Sequence, residues 1–104
     1  MPEIRRTIMN TFKDAQECQM FVLILRQKWS EFDGKLKDKL TVEIATDVAD
    51  PSKHAAYLTA RSVEDFKIVE ERAKKEVLPL HNKFAPKSHT FTCELDDRFE
   101  FGGQ

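Results

Sequence analysis

Cys18-Gln19-Met20-Phe21-Val22-Leu23-Ile24-Leu25-Arg26-Gln27-Lys28-Trp29 is the stretch against which the rest of this 104-residue chain has to pack. Wound at about 100° per residue, it gathers Cys18, Phe21, Val22, Leu25, Trp29 and Phe32 into one stripe broad enough to cover a sheet. Met20, Leu23 and Ile24 fall outside that stripe. The helix is therefore apolar over more of its circumference than a lone surface helix requires, and it asks for a second neighbour, either another helix or a partner subunit. Asp14 serves as its N-cap, with Glu17 as the second half of a capping box, and the helix runs to about Phe32 before Asp33-Gly34 stops it.

Outward from this helix the pattern changes to a period of two. Ahead of it, residues 4–12 alternate, with Ile4, Arg6, Ile8, Asn10 and Phe12 on one face and Arg5, Thr7, Met9 and Thr11 on the other. Behind it, a lysine-rich connector (35–39) leads to a second strand in which Leu40, Val42, Ile44 and Val48 alternate with Thr41, Glu43, Ala45 and Asp47. The turn Ala49-Asp50-Pro51-Ser52-Lys53 joins it to a third strand, His54–Arg61, so that the two form a hairpin. Ser62 then caps a second helix whose buried stripe is Phe66, Val69, Ala73 and Val77. Pro79 interrupts it, and residues 80–84 add one loose turn. The last core strand, Ser88–Leu95, places His89, Phe91, Cys93 and Leu95 on its apolar face. A tail over 96–104 alternates again at Phe99 and Phe101, as an extra strand or a clamp on a partner would, and frays at its glycines.

Composition bounds the function. One domain, 1–104, is expected at this length, large enough for a core and small enough to gain from dimerisation. Lys and Arg (17) nearly balance Asp and Glu (18), so no excess of positive charge draws the chain to nucleic acid. The N-terminus lacks the apolar run of a signal peptide, and no stretch reaches the roughly 18 apolar residues of a membrane span, so the chain reads as cytoplasmic. Cys18 and Cys93 are far apart and belong to no Cys-x-x-Cys pair, which suits buried thiols better than redox chemistry. No Gly-rich phosphate loop, nucleophile elbow or histidine spacing of a metal site occurs.

The order β-α-β-β-α-β with short links is that of an α+β, ferredoxin-like split βαβ domain. It implies an antiparallel sheet in the order 4-1-3-2 with two helices on one face. The opposite face mixes Thr, Ala, Met9 and Tyr57 with few charges, which suits burial against a second copy and predicts a face-to-face homodimer.

Polar residues on otherwise apolar strand faces are the informative ones. Arg6, Asn10, His54 and His89 qualify, and antiparallel pairing sets the end of the first strand beside the starts of the third and fourth. With His81 arriving from the end of the second helix, all three histidines and Asn10 are predicted to share one mouth between helices and sheet. Imidazoles there could shuttle a proton at neutral pH, which makes His54, His89 and Asn10 catalytic candidates. Arg6, Phe66 and Phe91 are the candidate substrate contacts. Arg6 on a central strand should pair with a carboxylate, Glu70 with Lys74, and Trp29 should pack in the core.

Taken over residues 3–101, the element order and the strand His54–Arg61 running into a capped helix at Ser62 resemble the dimeric α/β-barrel superfamily, nearest its antibiotic-biosynthesis-monooxygenase-like group. The resemblance implies two subunits joining their sheets into a barrel, with an apolar pocket that holds no metal or flavin. An electron-rich aromatic would there lose a proton and react with oxygen. A tryptophan frequent near the end of that strand in the group is replaced here by Ala60-Arg61. The resemblance also implies, as a lesser option, haem-degrading relatives, in which Asn10 and His81 would occupy the places of the asparagine and the histidine ligand. A dimeric ligand-binding or stress-response domain without turnover is the non-enzymatic alternative.

Overall fold

The computed structural model describes residues 3–32 and 38–102. The expected helix stop at Asp33-Gly34, the first part of the lysine-rich connector and the last two residues lie outside that range. The described chain runs β1 (Ile4–Thr11), α1 (Ala15–Ser30), β2 (Leu40–Thr46), β3 (Lys53–Ala60), α2 (Val63–Glu76), α3 (Leu78–Phe84), β4 (Lys87–Glu94). Every strand pair is antiparallel and the sheet order is β2-β3-β1-β4, the expected 4-1-3-2 seen from the other edge.

Local chemistry sets the helix boundaries. Asp14 Oδ1 accepts from the Glu17 N–H at 2.8 Å, and Ser62 Oγ accepts from the Asp65 N–H at 3.1 Å, each satisfying one of the donors a helix start leaves free. The helix count differs from expectation. The segment read as one loose turn is a third helix, because Pro79 falls in its first turn, where a missing N–H breaks no bond. The Val77 N–H still reaches Ala73 O at 2.8 Å and the His81 N–H reaches Val77 O at 2.9 Å, so bonds resume on either side of Pro79 and α3 follows α2 directly. Ala85, with φ of 47°, ends α3 in the left-handed conformation, and Pro86 prevents its continuation.

The core lies where the α1 stripe meets the inner sheet face. Cys18, Phe21, Val22 and Leu25 pack with Phe12 and Leu80, while Phe32 and Val69 close over Ala56 and Leu58. Further along, Phe66 covers Ile4 and Ala60. Burial raises the pKa of the Cys18 thiol above its ordinary value, so it stays protonated and acts as a small hydrophobe.

β4 departs most from the sequence reading. Its register against β1 sets Ile8 opposite Thr90, Arg6 opposite Thr92 and Asn10 opposite Ser88. Ser88, Thr90 and Thr92 therefore share the helix-side face, while His89, Phe91 and Cys93 stand on the open face with Met9, Thr7 and Arg5. A one-residue shift in parity moves a whole set of side chains to the other side. The reason is that β4 is an edge strand which the helices do not cover: its helix-side residues are exposed. Its apolar alternation thus reports the open face of the sheet.

Candidate functional site

Asn10 is the centre of a buried polar cluster. Only 3% of it is exposed, and so is only 3% of His54 beside it on β3. The Asn10 carboxamide nitrogen, Nδ2, lies 3.0 Å from His54 Nε2. Its oxygen, Oδ1, accepts from Ser88 Oγ at 2.7 Å and lies 3.3 Å from Nε2 of His81. Four elements, β1, β3, α3 and β4, each supply one member. Buried groups linked in this way are costly unless all are satisfied, and one is not: among the described residues, Nδ1 of His54 is buried with no hydrogen-bond partner.

Aromatic rings clamp both imidazoles. Phe21 of α1 lies 5.3 Å from the His54 ring centroid and 6.4 Å from that of His81, and Phe12 stacks on His54 at 5.8 Å. The cluster forms one end of a helix–sheet cavity of about 70 Å³, walled by Phe21, Leu25, Trp29, Leu58, Phe66 and Val69. Arg6 and Glu70 also line it. Their ion pair is 2.9 Å long; Arg6 also donates to Thr92 Oγ1 at 2.8 Å, and its guanidinium sits 4.7 Å from the Phe66 ring centroid. Arg6 thus has the carboxylate partner expected of it. Glu70, expected to pair with Lys74 along its own helix, turns inward to Arg6 instead.

The structure therefore sorts the residues singled out from the sequence. Asn10, His54 and His81 come together, and Arg6 and Phe66 line the same cavity. His89 does not enter that cavity: it pairs with Met9 on the opposite face and shares with Asn10 and His54 only the groove at that end of the sheet, so two of the three histidines converge in the cavity rather than all three. Phe91, 61% exposed on that open face, is not a cavity contact. Trp29 packs edge-on against Phe32, as a core residue would, and also walls the cavity. Ser88 was missed. The alternation of hydroxyls at Ser88, Thr90 and Thr92 carries the signal, but only the register with β1 shows which parity faces inward.

Burial pushes the pKa of both His54 and His81 below the ordinary imidazole value, so both rings are neutral at pH 7 and above. Proximity to His81 lowers that of His54 further, while the Ala55 backbone opposes the shift without hydrogen-bonding geometry to Nδ1. The sign for stability follows. The unfolded chain titrates near 6.5 and takes up protons before the folded one, so stability is complete about one unit above 6.5 and falls as pH drops through 6.5 toward the folded values. Denaturant titrations across that window should show this fall, and a His54→Gln variant should show a smaller one. A flat profile in the unsubstituted protein would mean the imidazoles are not held neutral. Asp50 and Glu3, both lowered by hydrogen bonds and arginine or lysine neighbours, add their own dependence only in the carboxylate range.

No protein-family model matches the chain, and no curated protein does either. Solved structures do. A dimeric ferredoxin-like protein from an uncultured marine organism superposes with a TM-score of 0.79 at 17% identity, over 96% of this chain and 93% of its own. An antibiotic biosynthesis monooxygenase gives 0.66 at 10% identity, over 91% and 98%. SnoaB, a cofactor-independent oxygenase from Streptomyces nogalater, gives 0.66 at 12% identity, over 96% and 97%. The chain has the ferredoxin-like fold. Identities this low carry the ferredoxin-like architecture and nothing about the site, because unrelated activities share such folds.

Haem does not fit this ferredoxin-like site. His81 Nε2 already faces the Asn10 oxygen, and a cavity of about 70 Å³ is far below what a porphyrin occupies. No cluster of metal-ligating side chains occurs among the described residues, and none of their helices is long and apolar enough to cross a membrane.

Proposed function

We propose that this protein binds a small hydroxylated aromatic between its helices and sheet and oxidises it with molecular oxygen without a cofactor. The observation that carries this reading is the polar cluster of buried Asn10 and His54 with half-buried His81, joined by Ser88 from the exposed edge, at one end of a cavity walled otherwise by apolar side chains and the Arg6–Glu70 ion pair. Such a site holds an electron-rich ring, takes a proton from it on a neutral imidazole and steadies the resulting anion with N–H donors. The substrate then supplies all the electrons: a CH₂ group becomes C=O, one oxygen atom of O₂ enters the product and the other leaves as water. The fold itself is one that a cofactor-independent oxygenase also uses.

The cavity's size favours a second reading, ligand binding without turnover. Pockets that hold small molecules usually exceed about 300 Å³, so this one must widen to admit a substituted ring. Widening costs least toward β4, whose helix-side face is uncovered. Oxygen-electrode measurements with a panel of phenols and anthrone-like compounds, beside equilibrium binding of the same compounds, test both. Uptake above the protein-free rate supports oxygenation, binding without uptake supports carriage, and neither result sinks the site.

The open sheet face carries the second part of the proposal, a face-to-face homodimer. Met9 and Tyr57 are exposed there in a shallow groove of about 510 Å³ that also includes His89, Lys53 and Lys87, and Phe91 is exposed on the same face. Exposed aromatics on a sheet face are best covered by another protein surface, and a stable pair needs about 800 Å² from each partner. Beyond β4, the Leu95 N–H extends the ladder to Glu3 O at 2.8 Å, and Arg98 holds Glu3 at 3.1 Å. Phe99 and Phe101 stand free beyond that anchor, placed to reach a partner. Sedimentation at micromolar concentration should give a dimer, and Phe91→Ser should shift it toward monomer. A monomer in the unsubstituted protein removes this part of the proposal.

A further inference from the structure

We infer that Asn10 locks His54 and His81 into opposite tautomers, so that the cavity offers a ligand one imidazole N–H and one imidazole lone pair. This deepens the small-molecule reading above and rests on it for the ligand, but not for the lock.

The argument starts from the carboxamide. Its nitrogen can only donate and its oxygen can only accept. The nitrogen is 3.0 Å from His54 Nε2, which must therefore accept. In a neutral ring that leaves the proton of His54 on Nδ1. The oxygen faces His81 Nε2 at 3.3 Å, so that nitrogen must donate, and Nδ1 of His81 keeps its lone pair. Ser88 donates to the same oxygen at 2.7 Å and fills its second lone pair. Turning the amide over would exchange the roles of the two rings together and leave them opposite. Two imidazoles on either side of one amide cannot be alike while both are neutral and bonded.

One consequence is visible. Nδ1 of His54 becomes a buried N–H with no acceptor in hydrogen-bonding geometry among the described residues, in a ring that lines the cavity. A buried donor left open beside a cavity calls for a ligand oxygen. His81, half-buried, has its Nδ1 free of side-chain partners among the described residues and is the ring able to receive a proton. The ligand class is thus a small ring bearing an acceptor oxygen and an acidic hydroxyl, not a plain hydrocarbon. His54 then acts as donor to the oxygen and His81 as base. Asn10 is a positioning residue for both.

Long-range ¹H–¹⁵N correlation NMR of the full-length protein at about pH 8, where unpaired imidazoles are neutral, reads each tautomer directly. His54 should appear as the Nδ1–H form and His81 as the Nε2–H form, with exposed His89 as a solvent-averaged reference. The same form in both rings, or averaging of both, overturns the lock. In Asn10→Asp the carboxylate only accepts, so His54 should convert to Nε2–H and match His81. A His54 that keeps its proton on Nδ1 there would show that Asn10 does not set it. Acetophenone, which accepts but cannot donate, should shift the nitrogens of His54 and spare those of His81; the reverse overturns the assignment of roles. Opposite tautomers with no response to acetophenone would uphold the lock and count against the ligand site.

Discussion

Phe21→Ala lowers the unfolding free energy by about 3–5 kcal/mol, the range for emptying a fully buried aromatic site. Phe21 is enclosed on every side: its ring centroid lies 5.0 Å from Phe12, 5.5 Å from Phe84 and 5.3 Å from His54. Those neighbours sit just after β1, at the start of β3 and at the end of α3, on backbone held by its own hydrogen bonds, which limits their collapse into the void. For a domain of this size the loss corresponds to a fall in Tm on the order of 15 °C or more. Leu23→Ala, on the half-exposed side of the same helix, should stay within about 0.5 kcal/mol in the monomer. Denaturant unfolding of the two variants compares them directly. A cost below about 1 kcal/mol for Phe21→Ala would mean that the aromatic cluster is not packed as described.

Asn10→Ala is the second large effect, and it reaches both stability and the site. The substitution removes one residue but strands two imidazole nitrogens and a hydroxyl, at about 1–3 kcal/mol for each group that stays buried. Ser88 lies at an exposed edge and recovers water, so a total of about 2–6 kcal/mol is expected from the two imidazole nitrogens. Ligand binding or oxygen uptake should fall by about tenfold or more, since two aligned polar contacts go together. Ser88→Ala should cost no more than about 1 kcal/mol, and His89→Ala on the open face should leave the cavity unaffected. A fully active Asn10→Ala protein would detach the cluster from function altogether.

The sequence made much of this legible, for reasons that separate cleanly. The stripe Cys18, Phe21, Val22, Leu25 and the inner face Ile4, Ile8, Asn10 were readable because each element has one covered side and one open one. Pairing of β1 with β3 and β4 followed from topology, and it brought Asn10 to His54 correctly. β4 is the exception, because its apolar parity marks the open face of the sheet and no helix covers its other side. That one difference in parity sets His89 and Phe91 on the open face and turns Ser88 toward Asn10. α3 was missed for a different reason: Pro79 reads as a break, yet in a first turn it costs the helix nothing. The capture of Glu70 by Arg6 rather than Lys74 depended on the depth at which α2 sits, which no local spacing records.

Trp29 is the chain's one tryptophan, and it forms part of the cavity wall against Phe32. Its indole emission is therefore a built-in gauge of occupancy: anything entering beside it alters brightness and colour without a dye, and dissolved oxygen reaching it registers as dynamic quenching. Steady-state fluorimetry on a few micrograms can thus screen compounds before their identity as substrates is known.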